Sequence, residues 1–251
     1  MSLARRLQRD LGVVSDMDDT VLQSEVTSFL RAARMVFLEN ALTRLPFPGV
    51  AAFYRALERG SDGARRNPIF YVSSSPWNIY DVIADFMEIQ RIPTGPIHLR
   101  DWDVGLDALT SSRLKRHKEP IIREILELYP SLPFILIGDD SQQDPEIYRS
   151  IIDGYPGRIL AIYIRNVRTD PARSASVQAL AKEVVAAGST LVLADDTFAA
   201  AAHAAEQGWI RKDALDSVHE ERRADEGVSG TKADAPGASE PGDKAPTIVV
   251  E

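Results

Sequence analysis

The sequence predicts an α/β fold of Rossmann-like type, in which one parallel sheet carries helices on both faces. Six short apolar runs, rich in Ile, Val and Leu and without polar alternation, are typical of strands that are covered on both sides. Helical patterns separate these runs along the chain. Strands that alternate with helices in this way indicate a parallel sheet.

Each strand is predicted from one apolar run of about four to eight residues, a length typical of buried strands. In chain order the runs are "LGVVSD" (11–16), "PIFYVSS" (68–74), "PIHLRDW" (96–102), "PFILIGDD" (133–140), "RILAIYIRN" (158–166) and "STLVLADD" (189–196).

The helices are predicted from apolar residues at helical spacing. They are "PGVAAFYRALERG" (48–60), "WNIYDVIADFMEIQ" (77–90), "KEPIIREILELYP" (118–130) and "SVQALAKEVVAAG" (176–188). A further pattern, "VTSFLRAARMVFLEN", begins soon after Thr20. The segment before the second strand therefore holds a short flap and two helices but no large cap domain, and such an open site favours bulky substrates.

Composition and charge predict a catalytic domain at residues 1–215 and an acidic, largely disordered tail at 216–251. Five of the eight net negative charges fall in the tail, which is rich in Gly, Pro, Ala and Ser. The body is thus nearly neutral, and no nucleic-acid partner is expected. The chain has no cysteine, which excludes disulfides and cysteine-ligated metals and suits a cytoplasmic location.

Polar or acidic residues follow four of the predicted strands. These are Asp16, residues 73–75, residues 139–140 and residues 195–196. In an open parallel sheet the active site lies beyond the carboxyl ends of the strands. Residues far apart in sequence are therefore expected to meet along one edge.

The first strand leads into two carboxylates whose repulsion needs compensation. Asp16 and Asp18 flank one residue, so a turn after Asp16 lets both reach one point above the sheet. The second strand delivers Ser73, whose hydroxyl could hold an oxyanion, and Ser74 follows it.

The remaining candidates come from the middle of the chain. Lys118 is expected at the start of a helix, and the next strand ends in Asp139, with Asp144 shortly after. Together the set offers a carboxylate nucleophile, an acid/base, donors for phosphate oxygens and an acidic site for a hard cation such as Mg²⁺. Phosphoryl transfer is the chemistry that these residues favour.

Four ordered motifs carry a family resemblance. "DMDDT", "YVSSS", "HK" before a helix and "IGDDSQQD" resemble the motifs of the haloacid dehalogenase superfamily of aspartate-nucleophile phosphatases. More narrowly, "SSSPWN" and "DSQQDPEIY" are similar to the catalytic domain of the phosphatidate phosphatases related to the yeast actin-patch protein, which are relatives of lipins.

The resemblance implies a role for each motif residue. Asp16 would form an aspartyl-phosphate, and Asp18 would serve as acid/base. Ser73, with Ser74, would bind the phosphate, and Lys118 would offset negative charge. Mg²⁺ would be held by Asp16, the main-chain carbonyl of Asp18, Asp139 and Asp144.

Several residues keep a second interpretation. Lys115 competes with Lys118, which is preferred because the helix is expected to begin there. Ser74 and Ser75 could merely start a helix, and Asp140 is expected to point away from the site. Arg100 would either meet an anionic group or pair with a neighbouring acid, both alternatives being left open.

Two further patterns are interpreted as structural. Trp77 and Trp102 could line a lipid-headgroup cleft, but buried core positions are preferred for both. The second "DDT", at residues 195–197, is expected to cap a final Ala-rich helix through Asp196 or Thr197.

The function expected from sequence is Mg²⁺-dependent hydrolysis of a phosphomonoester, with phosphatidate as the preferred substrate. The partners are then a phospholipid or other phosphomonoester and a transient membrane surface. Alternatives are a non-catalytic lipid-sensing module and a phosphatase of phosphoproteins or soluble esters. A two-component receiver fits the motif order less well.

Overall fold

The computed structural model describes residues 11–17, 48–100, 111–140, 143–166, 170–230 and 248–250. The strands are β1 (Gly12–Asp16), β2 (Ile69–Pro76), β3 (Ile97–Arg100), β4 (Phe134–Asp139), β5 (Ile159–Arg165), β6 (Thr190–Ala194) and β7 (Ile248–Val250). The helices are α1 (Val50–Arg59), α2 (Tyr80–Ile89), α3 (Ser111–Leu128), α4 (Asp144–Gly154), α5 (Pro171–Ala186), α6 (Thr197–Glu206) and α7 (Ala214–Gly230), with a 3₁₀ turn at Trp77–Ile79.

One sheet of seven strands organises the described residues, in the order β3-β2-β1-β4-β5-β6-β7. The first six strands in this order are parallel, and β7 is antiparallel to β6. The six predicted strands and the parallel α/β class are thus confirmed. Order 3-2-1-4-5-6 is that of doubly wound folds, in which the order of strand addition reverses between β1 and β4.

Helices cover both faces of the sheet and form two apolar layers. Neighbouring strand residues point to opposite sides, so Val13 packs in one layer and Val14 in the other. The first layer receives residues of α1, α2, α6 and α7, and the second receives residues of α3, α4 and α5. This two-sided cover explains the continuous apolar runs of the strands.

Helix α3 corrects one sequence-based boundary. It begins at Ser111, well before the expected start at Lys118, and contains Pro120. Proline is typical of a first helical turn because its missing N–H costs nothing there, which is why the pattern favoured the later start. Lys118 lies instead within the helix.

The expected tail at 216–251 is also corrected in part. Helix α7 runs through the predicted boundary and packs on α1 and α6. Val218 is fully buried in the first apolar layer, and β7 lines the outer edge of β6. The Gly- and Pro-rich composition that suggested disorder belongs mostly to residues 231–247, which lie outside the described residues.

No separate cap domain interrupts the sheet among the described residues, and helix α1 occupies its predicted place. The "VTSFLRAARMVFLEN" segment lies outside those residues. Of the described helices, none combines the length and apolar character needed to cross a bilayer.

Candidate active site

The site lies at the carboxyl edge of the sheet, where β1 and β4 run side by side. Asp16 is the last residue of β1, and Asp139 is the last residue of β4. The two strands pair in parallel register, with Ser15 opposite Ile137, so their ends reach the same edge. This is the reversal point at which doubly wound folds bind ligands.

Lys118 lies at the centre of the cluster. Its side chain comes from α3 and is only 1% exposed. Its Nζ lies 2.6 Å from Oδ1 of Asp16 and 3.1 Å from Oδ1 of Asp144. A buried ammonium needs partners of opposite charge, and here two carboxylates supply them.

Asp144 begins α4 and turns back toward the end of β4. It is fully buried, and its Oδ2 accepts a hydrogen bond of 3.2 Å from the backbone N–H of Asp139. Gly138 makes this approach possible, because a Cβ on Gly138 would lie 2.5 Å from Oδ2 of Asp144. The glycine before Asp139 is therefore a packing requirement of the site.

Three carboxylates converge to form a candidate metal site. Asp16, Asp139 and Asp144 each offer an oxygen, and these oxygens lie within 4.8 Å of one another. Oxygen ligands at this spacing fit a hard divalent cation such as Mg²⁺. Lys118 contacts Asp16 and Asp144, and three carboxylates at this spacing also fit a divalent cation electrostatically.

Burial raises the pKa of Asp144 above its usual value, and the nearby Asp139 acts in the same direction. The ammonium of Lys118 opposes both effects. Because carboxylates so close together repel one another in a buried site, the charged form of Asp144 is costly without a further cation.

A hydrogen bond ties the first strand to α1 beside the nucleophile candidate. The hydroxyls of Ser15 and Tyr54 are 2.6 Å apart, and Ser15 also donates to the carbonyl of Asp16. Burial raises the pKa of Tyr54 to about 12, so its hydroxyl stays neutral. Opposite, Tyr148 of α4 donates to the carbonyl of Ile137. These contacts hold the ends of β1 and β4.

The predicted phosphate-binding serines lie on the neighbouring strand. Asp16 pairs with Val72, so Ser73 comes directly after that register position on β2. Ser73 is buried, and its Oγ accepts a hydrogen bond of 3.0 Å from the N–H of Ser75. Ser74 is half-buried.

Two residues that sequence reasoning did not assign hold the site's segments. The Nε2 of His117 lies 3.2 Å from the carbonyl oxygen of Ser73. Because a carbonyl oxygen can only accept a hydrogen bond, His117 is the donor, and this bond links α3 to β2. Arg173 of α5 donates to the carbonyl of Asp140 and pairs with Glu146. It thereby holds both sides of the connection between Asp139 and Asp144. His117 belongs to the "HK" motif, in which only Lys118 was assigned a role, whereas Arg173 lies outside the four motifs and its sequence context carries no signal for this contact.

The structure also locates the residues with two interpretations. Asp140 is fully buried. Asp196 caps α6, its Oδ1 accepting a hydrogen bond from the N–H of Ala199, so the structural interpretation of the second "DDT" is confirmed. Trp77 is 52% exposed, so its preferred core position was wrong. The 3₁₀ turn places it at the surface after β2.

Some predicted residues lie outside the described part of the chain. They are Asp18, Thr20, Trp102 and the side chain of Lys115. The acid/base role of Asp18 therefore stays a prediction. The described residues of the set, Asp16, Lys118, Asp139 and Asp144, meet in one cluster, with Ser73 on the adjacent strand.

Comparisons with known proteins point to one family. The family model described as "Phosphatidate phosphatase APP1, catalytic domain" matches residues 11–166. The chain is 32% identical over 157 residues to phosphatidate phosphatase APP1 of Saccharomyces cerevisiae, which covers 62% of this chain and 26% of the yeast protein.

A second relative is the uncharacterized protein C29B5.04c of Schizosaccharomyces pombe. It is 27% identical over 161 residues, covering 64% of this chain and 26% of that protein. The matched part of the chain thus spans about a quarter of each of these relatives. The family match ends after β5, so α5, β6, α6, α7 and β7 lie beyond it.

Proposed function

Because this chain belongs to the family of the phosphatidate phosphatase APP1 catalytic domain, we propose that it is a phosphatase that hydrolyses phosphomonoesters, with phosphatidate as its substrate. The observation that carries this proposal is the buried cluster in which Lys118 contacts Asp16 and Asp144 beside Asp139. This set supplies a nucleophile and charge compensation at the reversal point of the sheet.

Asp16 acts as the nucleophile in the proposed mechanism. A carboxylate oxygen of Asp16 forms a bond to phosphorus while the bond from phosphorus to the glycerol oxygen breaks, and the leaving oxygen takes a proton. Asp18 is proposed to supply that proton. Water then attacks the phosphorus of the aspartyl-phosphate and gives a proton to Asp18, while the bond from phosphorus to the Asp16 oxygen breaks, which yields inorganic phosphate and the free carboxylate of Asp16.

Lys118 orients Asp16 before the reaction. Its Nζ contacts Oδ1 of Asp16, so the second oxygen of the same carboxylate can face the phosphorus. The positive charge also stabilises the negative charge that develops near the nucleophile. On the neighbouring strand, Ser73 is proposed to bind the phosphate.

Asp16, Asp139 and Asp144 are proposed to hold Mg²⁺. When bound, the ion would supply positive charge to the phosphoryl oxygens and relieve the repulsion among the carboxylates. The close spacing of these carboxylate oxygens and the burial of Asp139 and Asp144 support this assignment.

The activity test measures phosphate release from phosphatidate in mixed micelles and from a soluble aryl phosphate, both with Mg²⁺. We expect the wild type to release phosphate from both, with preference for phosphatidate, and Asp16→Asn to lose about 10³-fold or more in kcat, because the covalent route is removed. Asp195→Asn is the matched control, since Asp195 also follows a strand but binds Asn166.

The outcomes separate the alternatives. Hydrolysis of the aryl phosphate alone would keep the phosphatase and redirect the substrate to phosphoproteins or soluble esters. If the folded protein released phosphate from neither substrate, the lipid-sensing module would be favoured. The metal is tested separately by thermal unfolding, in which Mg²⁺ is expected to raise the Tm of the wild type but not of Asp139→Asn.

A further inference from the structure

A pair of exposed aromatic side chains follows the strand that carries Ser73. Trp77 and Tyr80 stack with ring centroids 5.2 Å apart and planes 20° apart. Their exposed fractions are 52% and 36%. They follow the carboxyl end of β2, the strand that carries Ser73. The aromatic pair thus lies at the same edge of the sheet as the carboxylate cluster.

Among the described residues, the rings of Trp77 and Tyr80 belong to neither apolar layer of the fold. Ile79 and Ile83 of the same segment do belong to one of these layers. Large aromatic rings are usually covered, because each carries roughly 150–250 Å² of surface. Trp and Tyr prefer the interface of a bilayer, where one part of the ring system is apolar and another is hydrated.

Arg100 adds a positive charge to the same edge. It ends β3, and the register places it opposite Pro76, the residue before Trp77. Within the described part of the chain, its Nε is buried and has no hydrogen-bond partner. An arginine guanidinium fits a phosphate group, which it can bind through two parallel hydrogen bonds.

We propose that Trp77, Tyr80 and Arg100 form a docking edge that binds the surface of an anionic bilayer. The choice of a bilayer as partner rests on the proposed function, whose substrate is a membrane lipid. The aromatic pair would enter the interfacial region, and Arg100 would contact lipid phosphates. Docked in this way, the protein presents the carboxyl edge of its sheet to the lipid headgroups.

The test measures flotation of the whole chain with vesicles of phosphatidylcholine and phosphatidylglycerol, which carry negative charge but no phosphomonoester. We expect Trp77→Ala with Tyr80→Ala to weaken binding about tenfold or more, since two rings of roughly 150–250 Å² each no longer insert. Arg100→Gln is expected to remove most of the preference over vesicles of phosphatidylcholine alone.

Leu128→Ala is the matched control. Leu128 is 68% exposed at the end of α3, and removing it is expected to leave vesicle binding unchanged. Circular dichroism of each variant checks that the fold is retained. If the wild type does not float, if the double variant floats like the wild type, or if Leu128→Ala weakens binding equally, the docking edge is disproved.

Wild-type hydrolysis of a soluble aryl phosphate reports on the proposed function without a bilayer. Flotation that depends on the docking edge, in protein that hydrolyses neither aryl phosphate nor phosphatidate, would support the edge and overturn the phosphatase. Hydrolysis by the wild type, together with flotation that the double variant does not weaken, would support the phosphatase and overturn the docking edge.

Discussion

Lys118 has one of the most constrained positions in the protein. It is buried among carboxylates from a strand end and a helix start, and its two contacts draw Asp16 and Asp144 together. A buried ion pair adds little net stability compared with an apolar pair, but breaking one leaves an uncompensated charge. The lysine is therefore required by the acids around it as much as by the proposed chemistry.

Replacing Lys118 by Met tests this dependence. We expect the free energy of unfolding to fall by about 3–5 kcal/mol in metal-free protein, because two buried carboxylates lose their countercharge. Urea denaturation measures the change. The control is Lys182→Met at an exposed position of α5, which is expected to change stability by less than about 0.5 kcal/mol. A loss below about 1 kcal/mol at Lys118 would contradict the expectation.

The raised pKa of Asp144 predicts that the stability of the protein depends on pH. Burial raises its pKa in the folded chain above the ordinary value of 3.8. Its contribution to stability is therefore fully present below the unfolded pKa and is lost as pH rises through the folded pKa. We expect metal-free Asp144→Asn to be more stable than the wild type at about pH 7, with the difference vanishing toward about pH 4.

Denaturation at a series of pH values, in the presence of a chelator, measures this difference. Asp85→Asn, at an exposed position of α2, is the control, because it removes a carboxylate that lies outside the cluster. An Asp144→Asn variant less stable than the wild type throughout the range would show that the contact with Lys118 outweighs the cost of burial.

At the scale of elements, α7 supplies hydrogen-bond acceptors for the free N–H groups at the start of α1. Gly49, the N-cap of α1, has no side chain to bind the free N–H groups of the first turn. Glu221 of α7 accepts from the N–H of Ala52 at 2.8 Å, and Asp225 accepts from that of Gly49 at 2.9 Å. These acids also lie at the positive end of the α1 dipole.

Glu221→Ala is expected to lower the free energy of unfolding by about 1–2 kcal/mol, because a capping acceptor and the partner of Arg55 are both lost. Chemical denaturation measures the loss. Glu220→Ala changes the neighbouring exposed acid and is expected to have little effect. Equal stability of the two variants would mean that α7 is held by its apolar contacts alone.

At the scale of the whole molecule, the described C-terminal segments complete the folded body rather than trail from it. Helix α7 covers α1 and α6, and β7 protects an edge strand whose unpaired groups would otherwise be exposed. Arg173 links this part of the chain to the site by binding the carbonyl of Asp140. The region beyond the family match therefore supports the region within it.

Shortened chains test this interdependence. A chain that ends at residue 215 is expected to lose about 3 kcal/mol or more of stability relative to one that ends at residue 230, because Val218 and two helix caps are removed. Thermal unfolding of the full chain and both shortened chains measures the losses. Similar Tm values for the two shortened chains would contradict the packing role of α7.

The sequence by itself determined the fold class, the six parallel strands and the acids at their ends. Buried strands and amphipathic helices have recognisable local sequence patterns, and the four ordered motifs contain the residues predicted at the carboxyl edge of the sheet. Asp16 and Asp139 were predicted at strand ends and Asp144 within the fourth motif, and the structure brings the three together, while their roles stay predictions.

Only the tertiary structure decided the rest. The start of α3, the packing of α7, the exposure of Trp77 and the contact of Arg173 depend on segments distant in sequence. Lys118 was chosen because of an expected helix start, yet its contacts come from the way α3 crosses the ends of β1 and β4. Local pattern reports how a segment folds, whereas contacts between segments depend on long-range packing that no local pattern encodes.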